Sequence, residues 1–134
     1  EDVIAGQGTI GLEILEQMPD VEAVIVPIGG GGLISGVAFA IKNLNPNIKV
    51  YGVQASGAPS MRNSIRDGKI ECLDHVSTIA DGIAVKEPGE HNFQYVSQYV
   101  DEGLGLLLLL LPCSTKCRFR AKRPFVWYPE VTLM

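Results

Sequence analysis

Four consecutive glycines, Gly29 to Gly32, are the stretch of this sequence whose residue type and spacing best suit chemistry by the backbone itself. Glycine has no Cβ, so an anion can come close to the N–H groups of such a run. The apolar side chains that follow recur every three or four positions and predict a helix, whose first N–H groups have no partner within the helix. The positive end of the helix dipole lies at the same place. We therefore predict that this loop binds a phosphate group through main-chain amides, without Lys or Arg.

A structural explanation of the four glycines is also open. A glycine-rich turn can simply let a helix pack closely on a strand, and one glycine is enough for that. Each further glycine in a regular element costs about 1 kcal/mol of backbone entropy. Because a purely structural turn gains nothing from that cost, four in a row favour the anion-binding interpretation.

The elements on either side must position this loop. Ala23 to Pro27 is a short apolar segment that predicts a strand, and the helix after the glycines has its apolar stripe at Leu33, Val37, Ile41 and Leu44. After a turn at Asn45-Pro46-Asn47, the segment Ile48 to Gln54 predicts a second strand. A strand, a helix and a strand in so short a span indicate a βαβ unit with parallel strands. Ligands of such sheets collect at the carboxyl ends of the strands, where the glycines lie.

The segment Gly6 to Gly11 spells G-x-G-x-x-G, a pattern typical of dinucleotide-binding loops. That fingerprint needs a strand before it and an acidic residue about 20 positions later. Only five residues precede this one, and no acidic residue lies between Ala23 and Asn63. We interpret the segment as a helix start, with Thr9 as a candidate cap and a buried stripe at Ile10, Ile14, Leu15 and Met18.

Two further helices are predicted in the second half of the sequence. Ser60 to Asp67 is amphipathic and is closed by Gly68. Pro88-Gly89-Glu90 opens another helix, with Phe93, Val96 and Val100 on one side. Between them Asp81 lies in a small apolar segment, where it is either a turn residue or part of a polar cavity.

Composition narrows the class of protein. A hydrophobic share of 46% and a charged share of 19% over 134 residues exclude a disordered chain, and a net charge of −4 argues against nucleic-acid binding. Three cysteines without paired spacing and two histidines predict neither a disulfide scaffold nor a zinc site, and indicate a reducing, cytoplasmic location. The leucine run 106–111 is too short to span a bilayer, so we expect no membrane segment.

The charge is distributed unevenly along the chain. Residues 1–102 hold six Lys/Arg against fourteen Asp/Glu, a net −8, whereas residues 103–134 hold five Lys/Arg against one Glu, a net +4. The second part also contains the leucine run and a basic, aromatic tail. We expect residues 1–102 to form the folded domain and residues 103–134 to lie outside it.

Four segments of the sequence stand in an order and spacing that resemble a known family: IAGQGTIGLE (4–13), VPIGGGGLISG (26–36), VYGVQ (50–54) and IADG (79–82). Together they resemble the threonine dehydratase (threonine ammonia-lyase) and serine racemase family of pyridoxal-phosphate enzymes. The resemblance covers about residues 1 to 102. It implies an α/β fold, with a partial parallel sheet flanked by helices, as in the large domain of fold-type II (tryptophan-synthase-β-like) enzymes.

The resemblance also implies a cofactor, a reaction and site residues. The tetraglycine loop would bind the 5′-phosphate of pyridoxal 5′-phosphate through Gly29, Gly30, Gly31, Gly32 and Leu33, and Gly82 would lie near the cofactor ring. The reaction would be β-elimination of water from L-threonine or L-serine, giving a 2-oxo acid and ammonia. The family also suggests a homo-oligomer.

Other family positions have no counterpart in these 134 residues. The lysine that binds the cofactor covalently and the asparagine at its hydroxyl group lie upstream of the matched stretch, and the Ser or Cys at the pyridine nitrogen lies downstream of it. We therefore expect a fragment, assign no catalytic residue to it, and expect it to be inactive alone. Gln54 and Ser60 stand where related enzymes have the acidic ligands of a divalent cation, so we expect no metal site. For residues 103–134 our hypothesis is a frameshifted or mispredicted reading frame, which sequencing the transcript across codon 102 would test.

Three alternatives to a dehydratase fragment remain open at this point. One is a fragment of a serine racemase-like enzyme. Another is a plain anion-binding or nucleotide-binding module that uses the same loop. The third is a non-catalytic interaction fragment, in which apolar helix faces at Ile14, Met18 and Val37 would be exposed and would make the chain aggregate or pair with an intact subunit.

Overall fold

A computed structural model describes residues 2–101, and the structural statements below concern these residues. The elements follow one another as helix α1 (Asp2–Gln17), strand β1 (Ala23–Pro27), helix α2 (Gly32–Leu44), strand β2 (Lys49–Val53), helix α3 (Ser60–Asp67), a short 3-10 helix (Asp81–Ile83) and helix α4 (Glu90–Tyr99).

The two strands form a parallel sheet, as the sequence predicts. Ala23 pairs with Lys49 at one end and Pro27 pairs with Val53 at the other, and α2 makes the crossover between them. Strand β2 is one residue shorter at each end than predicted. Before it, the Ile48 N–H group donates to the Asn45 carbonyl and closes the turn; after it, the Gln54 side chain bonds to α3. The α/β class with a small parallel sheet and flanking helices is confirmed.

The core lies between the sheet and the helices that cover it. Helix α2 contributes several fully buried side chains, because it packs against β1, α1 and α4 at once. The main apolar cluster includes Val24, Val26, Ile34, Val37, Ile41, Val50, Met61 and Val96. This packing fixes the start of α2, and therefore the glycine loop, relative to the sheet.

Helix α1 begins earlier than the sequence suggests. Because it starts at Asp2, the segment Gly6 to Gly11 lies inside a helix, and the prediction of Thr9 as a cap is wrong. The Thr9 hydroxyl instead donates to the Gly6 carbonyl oxygen at 2.7 Å, a bond within the helix. The helical interpretation of the G-x-G-x-x-G pattern is confirmed.

The buried face of α1 differs from the predicted stripe. Of the predicted positions only Ile14 is buried, whereas Ile10, Leu15 and Met18 are half-buried. The other buried residues of the helix are Ile4, Gly8 and Gly11. Two of these are glycines, which an apolar pattern does not reveal; they face α2 at short range.

The exposure of several apolar side chains differs from what the sequence suggests. Leu44 ends the apolar stripe of α2, yet it is 62% exposed. Ile14 and Val37 are only 6% and 1% exposed, because α1 packs along α2 and covers both, and Met18 is half-buried. The expectation that these three residues form bare apolar faces is therefore wrong.

The elements of the second half are close to those predicted. Helix α3 has the predicted bounds and ends at Gly68, whose φ of 69° is in the left-handed region. Helix α4 buries Val96, with Phe93 and Val100 half-buried beside it. Asp81 begins the 3-10 helix and is exposed, which favours the turn interpretation over the polar cavity.

The predictions made for residues 103–134 lie outside the described residues, and the boundary at 102 stays a prediction. Between residues 2 and 101, none of the helices has the length and apolar character that crossing a bilayer requires.

Candidate phosphate-binding site

The glycine loop connects the carboxyl end of β1 to the first turn of α2. The pairing of the two strands extends to Ile28, whose N–H group donates to the Val53 carbonyl at 2.7 Å. Gly29 to Gly31 follow directly, and Gly32 is the first residue of α2. The loop therefore lies at the carboxyl edge of a parallel sheet, the location at which such sheets bind ligands.

The main-chain amides of this loop are available as donors. Among residues 2–101 no hydrogen-bond acceptor is found for the N–H groups of the five predicted phosphate-binding residues, Gly29 to Leu33. The first helical bond of α2 is made by Ser35, whose N–H donates to the Gly31 carbonyl at 3.0 Å. The amides before it are the unpaired donors expected at a helix start, and the helix dipole adds a partial positive charge there.

The shape of the loop depends on the absence of a side chain at Gly31. Its φ is 96°, a conformation that L-residues rarely adopt. A Cβ at this position would lie 2.5 Å from Met61 Cε and 2.9 Å from Asn92 Cβ. Gly30 differs, since the atom nearest to a Cβ there is Val85 Cγ1 at 4.0 Å. Gly30 therefore has open space beside it, where a bound group can approach the backbone.

The 3-10 helix lies directly against the other end of the loop. A Cβ on Gly29 would lie 3.3 Å from Ile83 Cα and 3.5 Å from the Gly82 carbonyl oxygen. The structure therefore brings Gly82, which is exposed, next to the glycines although about 50 residues separate them in sequence. The short distance between Gly29 and Gly82 agrees with the family resemblance, which puts both near the cofactor. The role of Gly82 beside a cofactor ring stays a prediction.

Helix α4 holds the loop through contacts that the sequence does not predict. The Gly30 carbonyl oxygen accepts a hydrogen bond from the Gly89 N–H at 3.1 Å and another from Asn92 Nδ2 at 2.9 Å. The sequence predicts only that a helix starts at Pro88-Gly89. It does not predict that this helix start donates hydrogen bonds to the Gly30 carbonyl.

The two positions considered for a metal hold neutral groups that are already hydrogen-bonded. Gln54 Nε2 donates to Ser60 Oγ at 3.5 Å, and the Arg62 N–H donates to Gln54 Oε1 at 3.0 Å. The Ser60 hydroxyl donates to the Val85 carbonyl at 3.0 Å. These neutral groups do not provide the carboxylates that hard divalent cations prefer. In the part of the chain that the structure describes, no three His, Cys, Asp or Glu side chains gather closely enough to hold a metal ion.

Comparison with known proteins gives a family match and similar sequences. Residues 1–106 match the family described as "Pyridoxal-phosphate dependent enzyme". The L-threonine ammonia-lyase of Thermotoga maritima is 62% identical over 100 residues, which are 75% of this chain and 25% of that protein.

Solved structures agree with the sequence comparison. The processed form of threonine deaminase isoform 2 from Solanum lycopersicum superposes with a TM-score of 0.74 at 46% identity, over 77% of this chain and 30% of that one. Maize serine racemase gives a TM-score of 0.74 at 43% identity, over 78% of this chain and 32% of that one. The chain spans between a quarter and a third of the length of these relatives.

The cofactor in the family's description carries a phosphate, and the glycine loop offers unpaired amides and side-chain-free space of the kind that a phosphate requires. The match covers most of the chain and includes every described element. The chain belongs to the pyridoxal-phosphate dependent enzyme family.

Proposed function

We propose that this chain is the phosphate-binding part of an L-threonine or L-serine ammonia-lyase, an enzyme that eliminates water from its substrate and yields a 2-oxo acid and ammonia. The observation that carries the proposal is the row of amides from Gly29 to Leu33, which have no acceptor among the described residues and stand at the start of α2. The names of the relatives supply the substrate class.

In this proposal the chain contributes positioning. The N–H groups of Gly29 to Leu33 would donate to the phosphate oxygens of pyridoxal 5′-phosphate, and the dipole of α2 would favour the negative charge. Gly82, which adjoins Gly29, would leave room for the ring because it has no side chain. When bound, the cofactor supplies an electron sink for the reaction at the substrate α-carbon.

The proposal assigns no catalytic residue to these 134 residues. The lysine that would bind the cofactor covalently and move the substrate proton is expected upstream of the matched stretch. We therefore expect the purified 134-residue chain, mixed with pyridoxal 5′-phosphate and L-threonine, to form no 2-oxobutanoate above the rate of free cofactor. Turnover above that rate would contradict this part of the proposal.

A serine racemase-like parent is the second candidate. It is favoured by the likeness to maize serine racemase, whose TM-score equals that of the threonine deaminase. Both candidates use the same glycine loop, so the loop does not separate them. An assay of the full-length parent enzyme with L-serine would do so, because a lyase forms pyruvate whereas a racemase forms D-serine.

Binding of a cofactor analogue tests the phosphate site itself. Pyridoxine 5′-phosphate is the better probe because it lacks the aldehyde that would react with surface lysines. We expect the full chain, in isothermal titration calorimetry, to bind pyridoxine 5′-phosphate and to bind pyridoxine at least tenfold more weakly. Equal affinities would overturn the proposal, and tight binding of an adenine nucleotide in place of pyridoxine 5′-phosphate would favour the nucleotide-binding alternative.

A further inference from the structure

We propose that Asn92 is a positioning residue for the phosphate site, and that its side chain sets the direction of the Gly31 amide. The inference rests on the proposed function, because it assigns a role in holding the same anion. Asn92 lies in the first turn of α4, 62 residues after the carbonyl that it contacts. It is the one polar side chain that donates to the loop among the described residues.

Asn92 influences the Gly31 N–H through the peptide group that joins Gly30 to Gly31. Asn92 Nδ2 donates to the Gly30 carbonyl oxygen at 2.9 Å, and the Gly89 N–H donates to the same oxygen at 3.1 Å. The described chain has no cis peptide bond, so the Gly30 C=O and the Gly31 N–H point in opposite directions across a planar unit. Fixing the carbonyl towards α4 therefore turns the Gly31 N–H away from α4. That N–H is one of the loop amides without an acceptor in residues 2–101.

Asn92 is itself held firmly enough to set this orientation. Asn92 is half-buried, and its main-chain carbonyl accepts a hydrogen bond from the Ser35 hydroxyl at 3.3 Å, which links the backbone of α4 to α2. Asn92 Cβ also occupies the space where a side chain on Gly31 would project. A glycine run is otherwise the most freely rotating kind of backbone, so an external contact has to select one orientation.

The test compares two ligands in the full 134-residue chain. Asn92→Leu keeps the size of the side chain and removes the donor to the Gly30 carbonyl. We expect it to weaken binding of pyridoxine 5′-phosphate about tenfold and to leave the affinity for pyridoxine unchanged. A purely structural defect would weaken both ligands alike. Unchanged affinity for pyridoxine 5′-phosphate, or equal losses for the two ligands, would overturn the role of Asn92.

Asn43→Leu is the matched control. Asn43 also donates from Nδ2 to a backbone carbonyl, that of Phe39 at 2.7 Å, but it lies near the end of α2, far along the helix from the loop. We expect this variant to bind both ligands as the unmodified chain does. A tenfold loss in Asn43→Leu as well would contradict the specific role of Asn92.

If Asn92→Leu does not fold, Asn92→Asp and the NMR signal of the Gly31 amide test the role of Asn92. Asn92→Asp is nearly the same size but presents an ionised acceptor to the Gly30 carbonyl, so it should also lose pyridoxine 5′-phosphate affinity. The Gly31 amide signal in ¹H–¹⁵N spectra of the ligand-free chain should shift in both Asn92 variants and stay in place in Asn43→Leu. An unmoved Gly31 signal would overturn the inference.

The two proposals fail in different ways. If the unmodified chain does not prefer pyridoxine 5′-phosphate to pyridoxine, the proposed function is wrong, and the positioning role falls with it. If the unmodified chain shows the preference and Asn92→Leu retains it, the function stands and Asn92 is not a positioning residue.

Discussion

Gly31 combines two constraints that no other described residue combines in the same way. Its backbone has a φ of 96°, and the space where a side chain would project is filled by Met61 and Asn92. Gly68 shares the positive φ, at 69°, but no atom lies within 4 Å of the position of a Cβ there. A substitution at Gly68 therefore costs only backbone conformational energy, whereas the same substitution at Gly31 costs steric overlap as well.

Gly31→Ala should destabilise the chain by about 3 kcal/mol, because the left-handed conformation and the overlap with Met61 and Asn92 add together. Gly68→Ala should cost only about 1 kcal/mol, since backbone conformation is its sole penalty. Urea denaturation followed by far-UV circular dichroism measures both values. Equal losses in the two variants would contradict the steric argument.

The carboxylate of Asp101 is held by two lysines and a backbone N–H group. Its carboxylate accepts hydrogen bonds from Lys49 Nζ and from the Val50 N–H, both at 2.9 Å, and pairs with Lys42 Nζ at 2.6 Å. Burial acts to raise the pKa of Asp101, but the bonds from Lys42, the Val50 N–H and Lys49 together outweigh it and hold that pKa well below its usual range. These contacts lie near the start of β2, at the opposite end of the strand from the glycine loop.

Because the pKa of Asp101 is lowered by folding, the folded state loses stability when the pH falls. A depressed carboxyl pKa contributes stability that is fully present above the unfolded pKa of about 4 and is lost as pH falls below it. Asp101→Asn should therefore destabilise the chain by about 1 kcal/mol at pH 7, and the difference should shrink as pH falls from about 4 to 2. Urea titrations at several pH values measure this.

Asp67→Asn is the control for that series, because Asp67 pairs with the adjacent Arg66 at the surface. Arg66 also lowers the pKa of Asp67, but water screens this exposed pair, so the variant should change the midpoint of unfolding much less than Asp101→Asn does. A difference between Asp101→Asn and the unmodified chain that stays constant down to pH 2 would contradict the assigned role of the Asp101 charge.

Helices α1 and α2 approach each other so closely that their contact depends on glycine. A Cβ on Gly36 would meet the Ile4 carbonyl oxygen and would lie 2.7 Å from both Gln7 Cβ and Gly8 N. A Cβ on Gly11 would lie 3.0 Å from Ala40 Cβ. Gly8 and Gly11 of the G-x-G-x-x-G pattern are thus part of a helix-packing surface. Phosphate binding and close helix packing both require a missing side chain, which is why the pattern alone does not distinguish them.

Gly36→Ala should separate the two helices and destabilise the chain by about 2 kcal/mol. Gly6→Ala, in α1 but with nothing within 4 Å of its Cβ position, should stabilise the chain by roughly 0.5 to 1 kcal/mol, because alanine reduces the freedom of the unfolded chain. Thermal and urea unfolding give both values. A neutral Gly36→Ala would show that the helices are not held at the distance described.

The order of elements could be predicted from sequence because each depends on local patterns. β1, α2, β2, α3 and α4 are marked by apolar periodicity, by Gly68 after α3 and by Pro88-Gly89 before α4. The errors arose where a distant segment decides the outcome. Leu44 is 62% exposed although it continues the apolar periodicity of α2. The Asn92 and Asp101 contacts join residues more than 50 positions apart, which no local pattern encodes.

The described region as a whole has a two-stranded sheet, whereas a stable sheet usually needs three or more strands or extensive cover. Large apolar side chains also remain exposed, with Val3 at 64%, Leu44 at 62% and Ile79 at 72%. Among residues 2–101, these side chains, and not the faces at Ile14 and Val37, are the ones we expect to take part in association.

We expect the purified 134-residue chain to self-associate, because exposed apolar side chains favour pairing. Light scattering coupled to size exclusion should give a mass well above the 14.4 kDa of one chain. Val3→Lys and Leu44→Lys together should reduce the mass, while Glu13→Lys should not. A uniform monomer would contradict the expectation and would show that the two strands and their covering helices suffice for a soluble unit.

Asp101 is the last described residue, and it is bound to the sheet through both its backbone and its side chain. Its backbone N–H donates to the Val50 carbonyl at 2.9 Å while its carboxylate accepts from the Val50 N–H, so this residue is clasped to the second residue of β2 from both sides. Shortened versions of the chain should therefore keep Asp101, because a cut before it would remove the partners of both Val50 backbone groups.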